Sequence, residues 1–146
     1  MTATLTVTRD IAASPERVFD AWLDPAQARR FLFRTPDGEL LTCDIDPRVG
    51  GAAVIVERRG AQEAHHWLRF DDIDRPHRLA FRFKAGLAGG KDDGEWTRVT
   101  IEIAPTDGGA RLTLTHEGVW ADYADRTREG WTMILGNLAD MVENDQ

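Results

Sequence analysis

One stripe of apolar residues at the end of the chain limits the fold more than any other feature. Trp131, Ile134, Leu135, Leu138, Met141 and Val142 recur at i, i+3, i+4 and i+7, while Asn137, Asp140 and Glu143 take the other side. That period belongs to an amphipathic α-helix of about four or five turns. Gly130 and Gly136 lie inside it. Each costs about 1 kcal/mol against alanine in a helix interior, so the pattern predicts a close approach or a bend at these positions. A helix with one long apolar face must lay it on something, and what precedes it has the period of a sheet.

Residues 4–11 alternate: Leu5, Val7, Arg9 and Ile11 fall on one side, Thr4, Thr6, Thr8 and Asp10 on the other. Period two with a wet face predicts a strand. Ser14-Pro15-Glu16 then opens a short helix. Ser14 suits the cap and Pro15 the first helical position. Asp24-Pro25 ends that helix, and a second short one is predicted from Pro25 to Arg30. Strands follow at 40–46, 52–57, 64–73, 79–84, 96–104 and 110–116, and the glycine-rich piece 85–94 reads as a hairpin tip. Such regular spacing argues for one antiparallel meander. Its apolar face needs cover, and the last helix is the only large element left to supply it. The fold class is therefore α+β: a curved antiparallel sheet of about seven strands, with two short helices after the first, wrapped around a long C-terminal helix as one domain over residues 1–146.

Composition narrows the function. The net charge is −7, which repels phosphate backbones and argues against nucleic acid as a partner. No stretch approaches the roughly 18 apolar residues that span a membrane. The N-terminus lacks a basic segment followed by an apolar run, so no signal peptide is expected. Cys43 is the only cysteine, which fits a reducing compartment, most simply the cytoplasm. It is read as a small buried strand residue. His65 and His66 are adjacent and so point to opposite faces of a strand, where they cannot chelate one ion together; no metal is expected. No Ser-His-Asp arrangement, phosphate loop or dinucleotide fingerprint can be read, so no cofactor and no catalytic residue is assigned, and the balance leans against an enzyme.

Several segments also resemble one family. They are Val7-Thr8-Arg9 with Ile11 and Ala13 running into Pro15-Glu16-Arg17-Val18-Phe19-Asp20-Ala21-Trp22, then Asp24-Pro25, Asp46-Pro47-Arg48-Val49-Gly50-Gly51 and Pro76-His77-Arg78-Leu79. Val99-Thr100-Ile101 with Pro105, Leu112-Thr113-Leu114-Thr115-His116 with Gly118, and Gly130-Trp131 complete the set. In this order they resemble the Activator of Hsp90 ATPase homologue 1-like proteins, a branch of the START-like or Bet v 1-like (SRPBCC) superfamily. The resemblance implies a helix-grip fold with a cavity between sheet and helix, in which relatives bind lipids, hormones or polyketides; some catalyse, and a few act on the chaperone Hsp90. Two departures imply a cavity of different shape. Ala53 and Ile55, with Glu57 next on that face, stand where relatives often carry aromatics, and Leu68 where they often carry glycine.

Strand parity and the resemblance together give a candidate ligand site. Arg9, Ala53, Ile55, Glu57, His66, Leu68, Phe70, Phe81, Phe83 and His116 would face the cavity from the sheet. Trp22, Phe31 and Phe33 from the helical segment, with Trp131 and Leu135 from the last helix, would close it. Buried charge is costly unless paired, so Arg9 and Glu57 either pair or reach water at strand ends; otherwise Arg9, His66 and His116 orient a ligand. On the outer face, parity places Trp67 and Trp96 beside Ala80 and Arg82, a patch that suits a homodimer. The function expected is binding of a small apolar or amphipathic molecule. The alternative is a protein-interaction module with a chaperone as partner, and an enzyme using the cavity comes last. A binder should show an enclosed void of roughly 300 Å3 or more, an interaction module a filled core and an exposed apolar patch.

Overall fold

A computed structural model describes residues 2–34, 38–87 and 96–144. The strands are β1 (Thr2–Ile11), β2 (Glu39–Ile45), β3 (Ala52–Arg59), β4 (Gln62–Asp74), β5 (Arg78–Leu87), β6 (Thr97–Thr106) and β7 (Gly109–Trp120). They form one curved antiparallel sheet in the order β1-β7-β6-β5-β4-β3-β2. The helices are α1 (Pro15–Leu23), α2 (Pro25–Phe31) and α3 (Ala124–Asn144), the last preceded by a 3-10 turn at Ala121–Tyr123. β1 and β2 are the two edge strands, so α1 and α2 carry the chain from one edge of the sheet to the other. No helix of the described residues is long and apolar enough to cross a membrane.

The local signals act as read. Ser14 accepts from the Arg17 backbone N–H, and Asp24 closes α1 while its carboxylate caps α2 at the Ala26 N–H. Gly50 turns with φ +84°, and a Cβ on Gly51 would lie 2.3 Å from the Asp46 carbonyl oxygen, so only glycine fits that turn. At Gly130 and Gly136 an added Cβ would meet nothing within 4 Å, so neither glycine serves a close approach. Strand β5 runs further than expected. Ala85, Gly86 and Leu87 continue β5 against His66, His65 and Ala64, because β4 is long enough to offer them ladder partners. The remainder of the expected tip, residues 88–94, lies outside the described residues.

The stripe of α3 lies on the concave face of the sheet. Trp131, Ile134, Leu135, Leu138, Met141 and Val142 join one core with Phe19, Trp22, Phe31, Ile55, Leu68, Phe70, Phe81, Val99, Ile101, Leu112 and Leu114. Each such side chain contributes roughly 1.5–3 kcal/mol on burial. Bidentate pairs pin the periphery: Arg75 donates to Asp20 at 2.7 and 2.8 Å, tying α1 to the β4–β5 turn, and Arg111 to Asp10 at 2.8 and 3.4 Å across β7 and β1.

Three expectations change. Arg9 is exposed, although its register partner Leu112 is buried. β1 is an edge strand, so a long charged side chain there reaches water, a common way to protect an edge. Arg9 also cannot pair with Glu57, whose strand lies near the opposite edge of the sheet. On the outer face, the cation between the two indoles is Lys84, not Arg82: Nζ lies 4.6 Å from the Trp96 ring and 5.7 Å from that of Trp67. Arg82 pairs with Asp71 at 3.4 Å instead. Cys43 is half-buried, and burial pushes its thiol pKa up.

Candidate functional site

Between the sheet and the first turns of α3 the structure gathers five rings. Phe33 lies flat on His66, with ring centres 4.1 Å apart and planes within 3°. Its other neighbours are Phe83 at 5.3 Å and Trp131 at 5.6 Å. His116 meets the edges of Phe83 at 5.6 Å and Trp131 at 5.9 Å. The elements explain the gathering. His66, Phe83 and His116 sit on β4, β5 and β7, and Trp131 sits on the stripe of α3. Phe33 follows α2 and enters at φ +55°, a left-handed conformation uncommon for a bulky residue and maintained by its surroundings.

The polar atoms of this cluster have definite roles. The Trp131 indole N–H donates to His116 Nδ1 at 2.9 Å. An indole can only donate, so Nδ1 carries no proton and the neutral ring carries its hydrogen on Nε2. Nε2–H then donates to Thr97 Oγ1 at 2.7 Å, and the Thr97 hydroxyl donates to the Phe83 carbonyl at 3.1 Å. His66 has the opposite tautomer: its Nδ1–H donates to the Ile55 carbonyl at 3.2 Å. His66 Nε2 makes no hydrogen bond among the described residues, and the residue keeps 7% exposure. Burial pushes both histidines down to about 4, so both are neutral at pH 7.

Glu57 is completely buried and stands apart from the rings. Its carboxylate accepts from Arg59 Nε at 2.6 Å and from Arg34 Nε at 3.3 Å. Arg59 Nη2 also donates to the Phe33 carbonyl at 3.4 Å. This charged clasp therefore grips the backbone of the residue whose ring enters the stack. Trp22 packs edge-on to Phe31 at 5.1 Å, and its buried indole N–H has no hydrogen-bond partner among the described residues.

Of the residues read as the site, the structure brings together Phe33, His66, Phe83, His116 and Trp131. It places Trp22, Phe31, Ala53, Ile55, Leu68, Phe70, Phe81 and Leu135 in the surrounding core, Glu57 in the clasp and Arg9 outside. The space expected to be a cavity holds the Phe33 ring. Two hollows stand out among the described residues, and neither lies between the sheet and α3. One, of about 570 Å3, opens between α2 and the second half of α3 beside Arg30, Arg34, Met133, Asn137, Asp140 and Met141. The other, of about 310 Å3, runs along β2 past Cys43 and Arg29. Among the described residues no three His, Cys, Asp or Glu side chains gather as metal ligands.

Sequence reading missed Thr97, Arg34 and Arg59. Thr97 shares the parity of Val99 and Ile101, and Arg59 that of Glu57, so both were accessible to the strand argument. Arg34 follows a helix without any periodic pattern.

Comparison with known proteins agrees with this architecture. A protein from Rhizobium loti is 30% identical, with a TM-score of 0.81 and 96% of each chain covered. One from Chromobacterium violaceum is 28% identical, with a TM-score of 0.81 over 96% of this chain and 97% of that one. One from Rhizobium leguminosarum shares the fold at a TM-score of 0.87 and 23% identity, over 99% of this chain and 96% of the other. No curated protein matches the chain. The family model for Activator of Hsp90 ATPase homolog 1-like protein matches residues 12–143, so the chain belongs to that family.

Proposed function

We propose that the protein binds a small, planar, largely apolar molecule between the sheet and α3, in the place the Phe33 ring now holds. The observation that carries this is the Phe33–His66 stack. A ring held in an unfavourable backbone conformation lies face to face on a neutral imidazole, walled by Phe83 and Trp131. A planar ligand would meet the same surfaces. Its walls supply stacking, typically 0.5–1.5 kcal/mol per aromatic pair beyond area burial. His66 Nε2 is left as an acceptor at the rim, the kind of single polar group that orients a ligand in an apolar site. The His116 relay holds Trp131 and Phe83 rigid and needs nothing from the ligand. Native mass spectrometry of freshly purified protein tests the proposal: a bound small molecule supports it, and chain mass alone from several expression hosts counts against it.

A second reading, an interaction module for a chaperone, is favoured by the filled interior and by the exposed side chains of Trp120 and Tyr123. Adding the protein to Hsp90 and measuring ATP hydrolysis tests it. An unchanged rate removes this reading.

A further inference from the structure

We propose that the open edge of β2 takes up an extended, acidic peptide segment as an added antiparallel strand, with its carboxylate beside Arg29 of α2. The two edges of the sheet are finished differently. At β1, Arg128 of α3 donates to the Thr6 carbonyl at 2.9 Å, and the Glu143 carboxylate accepts from the Ala12 N–H at 2.9 Å just past the strand. The exposed Arg9 adds a charge there, so β1 is blunted as natural edges usually are. β2 has neither lysine nor proline. Its register shift lies at Leu41, and Thr42 to Ile45 run in unbroken register with β3.

Backbone parity fixes what this edge presents. The Asp46 N–H donates to the Ala52 carbonyl at 2.9 Å, and the same ladder continues through Asp44↔Val54 and Thr42↔Val56. Bonded and non-bonded pairs alternate in an antiparallel ladder, so the N–H and C=O groups of Cys43 and Ile45 point away from β3. None of these groups has a partner among the described residues. Beside them lies the hollow of about 310 Å3, with Arg29 of α2 in its lining. Arg29 is exposed, and its guanidinium makes no hydrogen bond or ion pair among the described residues. An added strand therefore finds ladder partners for affinity and one cation for selectivity. Residues opposite Cys43 and Ile45 would share the face of those side chains, which packs toward α2 and the core. An acidic side chain opposite Cys43 thus reaches Arg29, whose planar fork matches a carboxylate. A second copy of the chain fits less well. Its β2 side chains on that face are Leu40, Cys43 and Ile45, which set no carboxylate against Arg29.

Fluorescence anisotropy with end-labelled Val-Thr-Glu-Thr-Val amide at low ionic strength tests this. When the peptide pairs with the edge, both Val and the Glu face α2. Replacing Glu by Gln in the peptide should weaken binding about threefold in the parent and leave it unchanged in Arg29→Gln, as loss of one exposed charge contact does. The Arg29 side chain is exposed and unbonded, so this variant keeps the fold. Methylating the backbone nitrogens of Glu and the last Val, which point at β2, should weaken binding about tenfold or more through two lost hydrogen bonds. Methylating those of the two Thr, which point to solvent, should leave it unchanged. The proposal is overturned if the parent does not bind the peptide, including the case where a second copy closes this edge in a dimer. It is equally overturned if the two methylated peptides bind alike, or if Arg29→Gln still prefers Glu to Gln. Because Phe33 and His66 take no part, either outcome leaves the reading of the ring stack standing.

Discussion

His116 cannot gain a proton without losing a bond. Its Nδ1 accepts from the Trp131 indole, and a protonated ring would set two N–H groups against each other. Burial acts in the same direction on both His116 and His66, which stand near 4 against the ordinary 6.5. The unfolded chain therefore binds protons that the folded chain refuses. Stability is fully present above about pH 6.5 and falls as pH drops toward 4, by roughly 3 kcal/mol per histidine at about 1.4 kcal/mol per pH unit. Asp10 and Asp20, held down by hydrogen bonds from Arg111 and Arg75, add losses of the same sign at lower pH. Urea midpoints at pH 7.5, 5.5 and 4.5 check this, and His66→Phe should remove about half of the decline above pH 4. A midpoint that stays flat across this range would mean the rings are solvated. The relay has its own test. Thr97→Val leaves His116 Nε2–H without an acceptor and should cost about 1–3 kcal/mol in chemical denaturation.

At the scale of elements, α3 carries two removable weaknesses. Gly130 and Gly136 face open space, so Gly130→Ala and Gly136→Ala should each stabilise by about 1 kcal/mol, read as higher urea midpoints with unchanged slopes. Gly51→Ala should do the reverse, because its Cβ would collide with the Asp46 carbonyl. The elements themselves were readable in the sequence, since caps, prolines and period-two or helical patterns are local signals. What parity could not foresee was reach. Leu5, Arg9 and Ile11 have one parity on β1, yet the guanidinium ends in solvent because the strand is an edge. Phe33 reads as a wall of the cavity, but no pattern could foresee that its ring fills the space. It belongs to no helix or strand, its backbone is left-handed, and only tertiary packing puts its ring on His66. The candidate site was thus half legible: its walls follow from periodicity, its occupant does not.

For the whole molecule, the sheet's concave face depends on one cover. A chain ending at Glu129 would lose Trp131, Ile134, Leu135, Leu138, Met141 and Val142 from the core. It should unfold without a cooperative transition, as near-ultraviolet circular dichroism on heating would show. A normal transition would mean that the sheet closes on itself without α3. The same architecture frames the functional claim, that the space under α3 admits a planar guest by giving up Phe33. Displacing a buried phenyl costs about 3 kcal/mol, so the parent should bind such a guest roughly 100-fold more weakly than a variant lacking the ring. Phe33→Gly removes the ring and suits the left-handed backbone. The most direct measurement is calorimetric titration of 2-naphthol into the parent and into Phe33→Gly, with Trp131 fluorescence followed alongside. Weak binding to the parent, about 100-fold tighter binding to the variant, and a Trp131 response in both are the results expected. Equal affinities, or no binding to either protein, would contradict the account.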